Sequence, residues 1–275
     1  MHYTIQSIKY LLKNFIYLFP FVVLPAFFFA LSIDEVALES VIRRVFAGDF
    51  SGLTFGEIFR SVSFLGFSSG WSLLSGTLGT VFLVIGASLL MAFTERHMRI
   101  GKRNYHGVFP RLNENFLPTL GVVLLLLFAY ELFALILSAL LFFFFQISNP
   151  VLAMIFCVVA YVGMHYVLLF VVTLGYLWLP CMMITGFGAF EALRYSYQLC
   201  HPIRGKIIFH QFLLLFIAEV LIIASVFIPG DVMIPVLVAT VFYTYMMMLF
   251  CVRMQVVYFD RAQIERADLK TYYGK

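Results

Sequence analysis

GVVLLLLFAYELFALILSALLFFFFQISNPVLAMIFCVVAYVGMHYVLLF, residues 121–170, consists of two long apolar runs joined at Gln146-Ile-Ser-Asn149-Pro150. Each run continues beyond the quoted stretch and exceeds the roughly 20 residues that carry an α-helix across a hydrocarbon core. Barrel strands would instead alternate apolar and polar residues over segments of about ten. Asn149 suits a helix N-cap and Pro150 a first helical turn, so the sequence predicts an antiparallel helical hairpin with a tight turn.

The same pattern recurs along the chain and predicts an all-α, polytopic membrane protein with six transmembrane helices at 15–33, 64–93, 116–145, 151–184, 207–228 and 236–259. Composition agrees: the mean hydropathy is +1.00, 63% of residues are hydrophobic, and 12% are charged, about half the share of an ordinary soluble domain. Of 18 Lys and Arg, 15 fall on the side that holds both termini, against Arg43, Arg44 and Arg60 opposite. The positive-inside rule therefore predicts cytoplasmic termini. The net charge of +4 is explained by topology, and no nucleic-acid partner is expected. The N-terminal run also has the outline of a secretory signal, but its length, Pro20 and Pro25, and the lack of a small-x-small site before Asp34 predict an uncleaved first helix kinked at the prolines. Cys157, Cys181, Cys200 and Cys251 are scattered, with none in the external segment, and are read as small packing residues rather than a disulfide or metal framework.

Segment 34–63 is the one sizeable external piece. Leu38, Val41, Ile42 and Val45 recur at helical spacing opposite Glu35, Glu39 and Arg43, so a helix lying on the membrane surface is expected. Thr54-Phe-Gly-Glu57 has the capping-box pattern of a helix start, which predicts a second helix feeding into span two. In span two, Ser68, Ser72, Gly76 and Thr80 form a nearly bulk-free row that invites close helix packing. Gly66, Ser69, Gly70, Ser75 and Gly79 leave open a flexible or water-lined alternative.

Three groups in the spans prefer to be charged or to titrate: Glu131, His165 and Glu219. Glu131 precedes the hairpin turn by 15 residues and His165 follows it by 15, which places both roughly 22 Å below the turn on antiparallel neighbours. An ionised carboxylate facing lipid costs several kcal/mol, so the matched depth predicts a Glu131–His165 pair whose first role is structural. Leu213-Leu-Leu-Phe216-Ile-Ala-Glu219 echoes Leu125-Leu-Leu-Phe128-Ala-Tyr-Glu131 at an offset of 88 residues, which raises a duplication of a helix-loop-helix unit.

On the inner side, loop 94–115 concentrates basic residues, of which Arg96, Arg99, Lys102 and Arg103 are candidate contacts for anionic headgroups. Residues 186–200 place Phe187, Phe190, Leu193 and Tyr197 on one face, as an interfacial amphipathic helix would. Trp71, Trp178, Tyr195, Tyr197 and Tyr258 fall where an aromatic belt is expected. No phosphate-binding glycine loop, nucleophile elbow or metal motif appears, so no cofactor, metal or enzymatic activity is expected.

Gly188-Ala-Phe-Glu-Ala192-Leu-Arg-Tyr-Ser196-Tyr-Gln-Leu199, with the small-residue span two and its basic loop, resembles the bacterial six-span YciC-like family, which is related to the membrane domain attached to some glycerophosphoryl diester phosphodiesterases. Ala192, Ser196 and Leu199 match that family's Ala-x-x-x-Ser-x-x-Leu inner-loop helix, whereas His201-Pro-Ile-Arg-Gly205 departs from its commoner polar turn. The resemblance implies a bacterial plasma-membrane location. The phosphodiesterase chemistry belongs to a separate soluble domain and is not carried over. Three functions are thus expected as alternatives: lipid handling, lipid sensing or envelope homeostasis; a proton-linked transporter using Glu131, His165 and Glu219; and an accessory subunit or homo-oligomer that packs through the Ser68–Thr80 row.

Overall fold

The computed structural model describes residues 2–50, 52–228 and 233–269, so Lys270 and Lys275 of the basic set lie outside the described residues. Among the described residues the regular structure is helical, and six stretches are long and apolar enough to cross a membrane. The helices are α1 (His2–Ser32), α2 (Glu35–Ala47), α3 (Phe55–Val62), α4 (Gly70–Ile100) and α5 (Arg111–Phe145). There follow α6 (Pro150–Leu174), α7 (Trp178–Thr185), α8 (Ala189–Cys200), a 3-10 turn (His201–Ile203), α9 (Arg204–Val226) and α10 (Met233–Arg261). Leu124, Leu125 and Phe128 on α5, Val158 and Val159 on α6, and Phe216 and Val220 on α9 are exposed. Contiguous apolar surface of this kind is unusual on soluble monomers, and with the six apolar stretches it defines a multi-pass membrane protein.

The longest contacts centre on α1, which lies between α4 and α10 and buries Tyr10, Leu18, Val22 and Ala26. It starts at His2, well before residue 15, because its first turns are also packed: the Tyr3 hydroxyl donates to Asp260 at 2.6 Å and the Tyr10 hydroxyl bonds His97 Nδ1 at 2.7 Å. The helix continues through both prolines. Pro25 has no N–H to give, so the Phe21 carbonyl lacks its intrahelical donor. Gly86 of α4 comes against that oxygen so closely that a Cβ at position 86 would collide with it. A small residue thus lets two backbones meet where one has an unused acceptor, a geometry in which a Cα–H can serve as weak donor.

Segment 34–63 packs against the α5–α6 hairpin. Val41 of α2, Phe50, Leu53 and Ile58 of α3 are buried against Phe145, Ala153 and Cys157 of the α5–α6 hairpin. The capping box is formed as the sequence predicts, with Glu57 N–H donating to Thr54 Oγ1 at 3.2 Å and Thr54 N–H to Glu57 Oε2 at 2.9 Å. The helix it starts ends at Val62, however, and does not feed into span two. Residues 63–69 are non-helical, and α4 starts at Gly70 with its own Ser69 cap. Asn149 and Pro150 cap α6 as expected, Asn149 Oδ1 accepting from Val151 and Leu152 N–H.

The fourth span is not one helix. It breaks at residues 175–177, and the N–H of Leu177 donates to Ser196 Oγ on α8 at 3.0 Å. Ala192, Ser196 and Cys200 form the fully buried face of α8, so the serine of the Ala-x-x-x-Ser stretch closes the break, while Phe187, Phe190 and Tyr197 point away from the bundle. All four cysteines are buried and free. Tyr258 belongs to the core, 1% exposed, rather than to an outward aromatic belt.

Candidate functional site

The predicted Glu131–His165 pair is not formed. His165 on α6 faces α9, with Nε2 3.1 Å from Glu219 Oε1 and Nδ1 2.9 Å from the Tyr161 carbonyl oxygen. The Tyr161 hydroxyl donates to Glu219 Oε2. With Nδ1–H donated to a carbonyl, Nε2 either accepts a proton held by Glu219 or donates one to its carboxylate. The three side chains thus form a hydrogen-bonded cluster between two helices, flanked by Phe133 and Phe212. Counting along the hairpin does not say on which side of the helix His165 lies; packing sets that.

Glu131 serves a different purpose. Its Oε1 accepts the N–H groups of Phe64 and Leu65, each at 3.0 Å, and its Oε2 the Ser63 hydroxyl at 2.9 Å. Three carbonyls in and beside this non-helical stretch are also met from within the chain. The Tyr130 hydroxyl donates to the Val62 carbonyl at 3.0 Å, Ser32 Oγ to that of Phe64 at 2.9 Å, and Ser72 Oγ to that of Gly66 at 2.8 Å. Irregular backbone among apolar helices persists when its donors and acceptors find partners inside the protein, and here side chains of α1, α4 and α5 supply several of them. Gly66 is required twice over, by its φ of 68° and by the Ser32 carbonyl that a Cβ would strike. Glu131 and Glu219, equivalent under the 88-residue offset, thus have unlike partners.

The small row of span two is used, but by the chain itself. Ser72, Gly76 and Thr80 are buried, and a Cβ on Gly76 would collide with the Leu65 carbonyl, while Ser68 precedes the helix and is exposed. Of the basic candidates, Arg96 and Arg99 sit on α4, which extends past residue 93. Arg99 pairs with Glu95 at 3.1 Å, Arg96 packs over Gly107, Arg103 covers the Tyr17 ring at 5.7 Å, and Lys102 is exposed. The loop's charges are therefore partly spent on its own fold, Glu95 also binding Arg111.

The sequence reading missed a cavity of about 330 Å³ walled by α5, α6, α9 and α10, within the usual range of ligand pockets. Its lining is apolar, from Leu126, Leu168, Leu169, Leu214, Leu249 and Phe250 among others, except for Tyr130, Tyr176, Gln211 and Arg253. A polar signal was present in the sequence: Gln211 interrupts an apolar run, and Arg253 stands eight residues before the end of α10. Comparison with protein-family models, curated proteins and solved structures finds no match for this chain.

Proposed function

We propose that this is a non-enzymatic multi-pass protein of a bacterial cytoplasmic membrane that handles or senses lipid by admitting a membrane amphiphile between its helices. The observation that carries this reading is the apolar, amphiphile-sized cavity among α5, α6, α9 and α10, which ends in buried polar groups. The basic end of the bundle, with loop 101–110, α8 and the last residues of α10, faces the cytoplasm in this reading, in keeping with the positive-inside rule. The outward set Phe187, Phe190 and Tyr197 then lies against the inner leaflet. The YciC-like resemblance of residues 188–199 supports the same placement. Native mass spectrometry of protein released gently from its own membrane should show one lipid-sized mass retained per chain. A bare chain, or one bound only to a second protein, would remove the reading.

The Tyr161–His165–Glu219 cluster favours a second reading, proton-linked transport, because a shared proton between two helices is a means of coupling protonation to their separation. In proteoliposomes carrying a pH gradient, Glu219→Gln should then abolish uptake, whereas Glu131→Gln should leave it nearly intact. Uptake that survives Glu219→Gln, or is absent from the unaltered protein, rules this reading out.

A further inference from the structure

The cavity carries three of its polar groups at one end. α6 and α10 run toward the basic end of the bundle and α9 runs away from it, so Tyr176, Gln211 and Arg253 are each the lining residue nearest that end on their element. Arg253 lies about 12 Å along α10 from Arg261, toward the basic end of the bundle.

Arg253 is 3% exposed and its Nε is buried without an acceptor. The Tyr176 hydroxyl and the Gln211 amide are buried beside it with no well-formed hydrogen bond, Tyr176 lying close enough to Gln211 and to the Arg253 charge to feel both. No ion pair among the described residues reaches the guanidinium. Carboxylates elsewhere in the bundle are committed: Glu219 to Tyr161 and His165, Glu131 to residues 63–65, Glu95 to Arg99 and Arg111, Asp260 to Tyr3 and Asp268 to Arg266. A lysine or glutamate in such a place can shed its charge, but a guanidinium cannot, so the cost of burial persists until an anion arrives. Arginine also presents its donors as a planar fork suited to carboxylate and phosphate oxygens, and the Gln211 amide and Tyr176 hydroxyl add neutral donors beside it.

The geometry points to an anionic amphiphile as the occupant, its carboxylate or phosphate head held by Arg253, Gln211 and Tyr176 and its acyl chain lying along Leu126, Leu168 and Leu214 toward Tyr130. This assignment rests on the reading that the cavity holds an amphiphile and adds the charge of the head. Neutral phospholipid heads leave the guanidinium without a net counter-charge and bind less well.

The test is a native mass-spectrometric titration of the purified full chain in a neutral detergent. The probes are lysophosphatidate, palmitate, a monoacylglycerol with the same chain, and inorganic phosphate. One anionic amphiphile should bind per chain, at least about tenfold more tightly than the monoacylglycerol, the margin a charge-assisted hydrogen-bond pair supplies. Millimolar phosphate should not displace it. In Arg253→Gln the preference should vanish while monoacylglycerol binding persists. Equal binding of charged and neutral amphiphiles by the unaltered protein overturns the assignment but leaves the amphiphile reading standing. Binding of neither removes both, and displacement by inorganic phosphate alone marks a small-anion site and overturns the assignment. The charged-against-neutral comparison uses the unaltered chain, so it discriminates even where the variant fails to fold.

Discussion

Glu131→Leu is expected to lower stability by about 4 kcal/mol, because leucine removes the acceptors of three donors at once. The N–H groups of Phe64 and Leu65 and the hydroxyl of Ser63, all half-buried, end on this carboxylate, and leaving such a donor unmade among apolar helices costs roughly 1–3 kcal/mol each. Relief of the carboxylate's own desolvation offsets part of the sum. Glu131→Gln should cost no more than about 1 kcal/mol: the amide oxygen keeps both backbone bonds, and Nε2 donates to Ser63 Oγ, which turns from donor to acceptor. Thermal unfolding in mild detergent should therefore separate the two variants, with faster amide exchange at Phe64 and Leu65 in the leucine variant alone. Similar melting temperatures for Gln and Leu would show that the carboxylate does not hold this stretch. The same pair separates structure from transport, since Glu131→Gln should leave the cavity and the Glu219 cluster untouched.

What was legible in the sequence was whatever depends on length and local chemistry. The runs flanking Gln146–Pro150 gave the hairpin, Asn149 and Pro150 its cap, and Thr54 with Glu57 the start of α3. Where the reading failed, the missing quantity was angular. Counting from the turn gives Glu131 and His165 one depth, but a helix can present a residue at a given depth to any neighbour, and here His165 faces α9 and Glu131 faces residues 63–65. The non-helical stretch itself had a signal in Gly66-Phe-Ser-Ser-Gly70, a turn-forming cluster that the surrounding hydropathy concealed.

The cavity's polar end was hidden for another reason. Arg253 was counted with the basic residues that set topology, and a count of charges by side does not ask whether a given arginine reaches water. At 3% exposure it does not. Gln211 is uncharged and does not stand out among titratable groups, and Tyr176 lies at a helix break whose hydropathy matches that of the helices around it. Of the intramembrane residues singled out from sequence, His165 and Glu219 come together and Glu131 stands apart; the groups left with unsatisfied hydrogen-bonding capacity at the cavity are others.

The second large effect is expected at Gly86, where Gly86→Leu should prevent recovery of a folded, monodisperse protein and Gly86→Ala should cost about 1–3 kcal/mol. The obstacle is backbone rather than side chain. A Cβ at position 86 meets the Phe21 carbonyl oxygen, which cannot swing aside by a change of rotamer, and α1 cannot retreat because α10 packs on its other side. Gly163, in α6, provides the control: nothing lies within 4 Å of a Cβ built there, so Gly163→Ala should be neutral or add up to about 1 kcal/mol through helix propensity. The contrast excludes a general intolerance of apolar helices to lost glycine. If Gly86→Leu were recovered with an unchanged melting temperature, α1 and α4 would not meet at this point, and the close approach of α1 to α4 at the carbonyl freed by Pro25 would have to be abandoned.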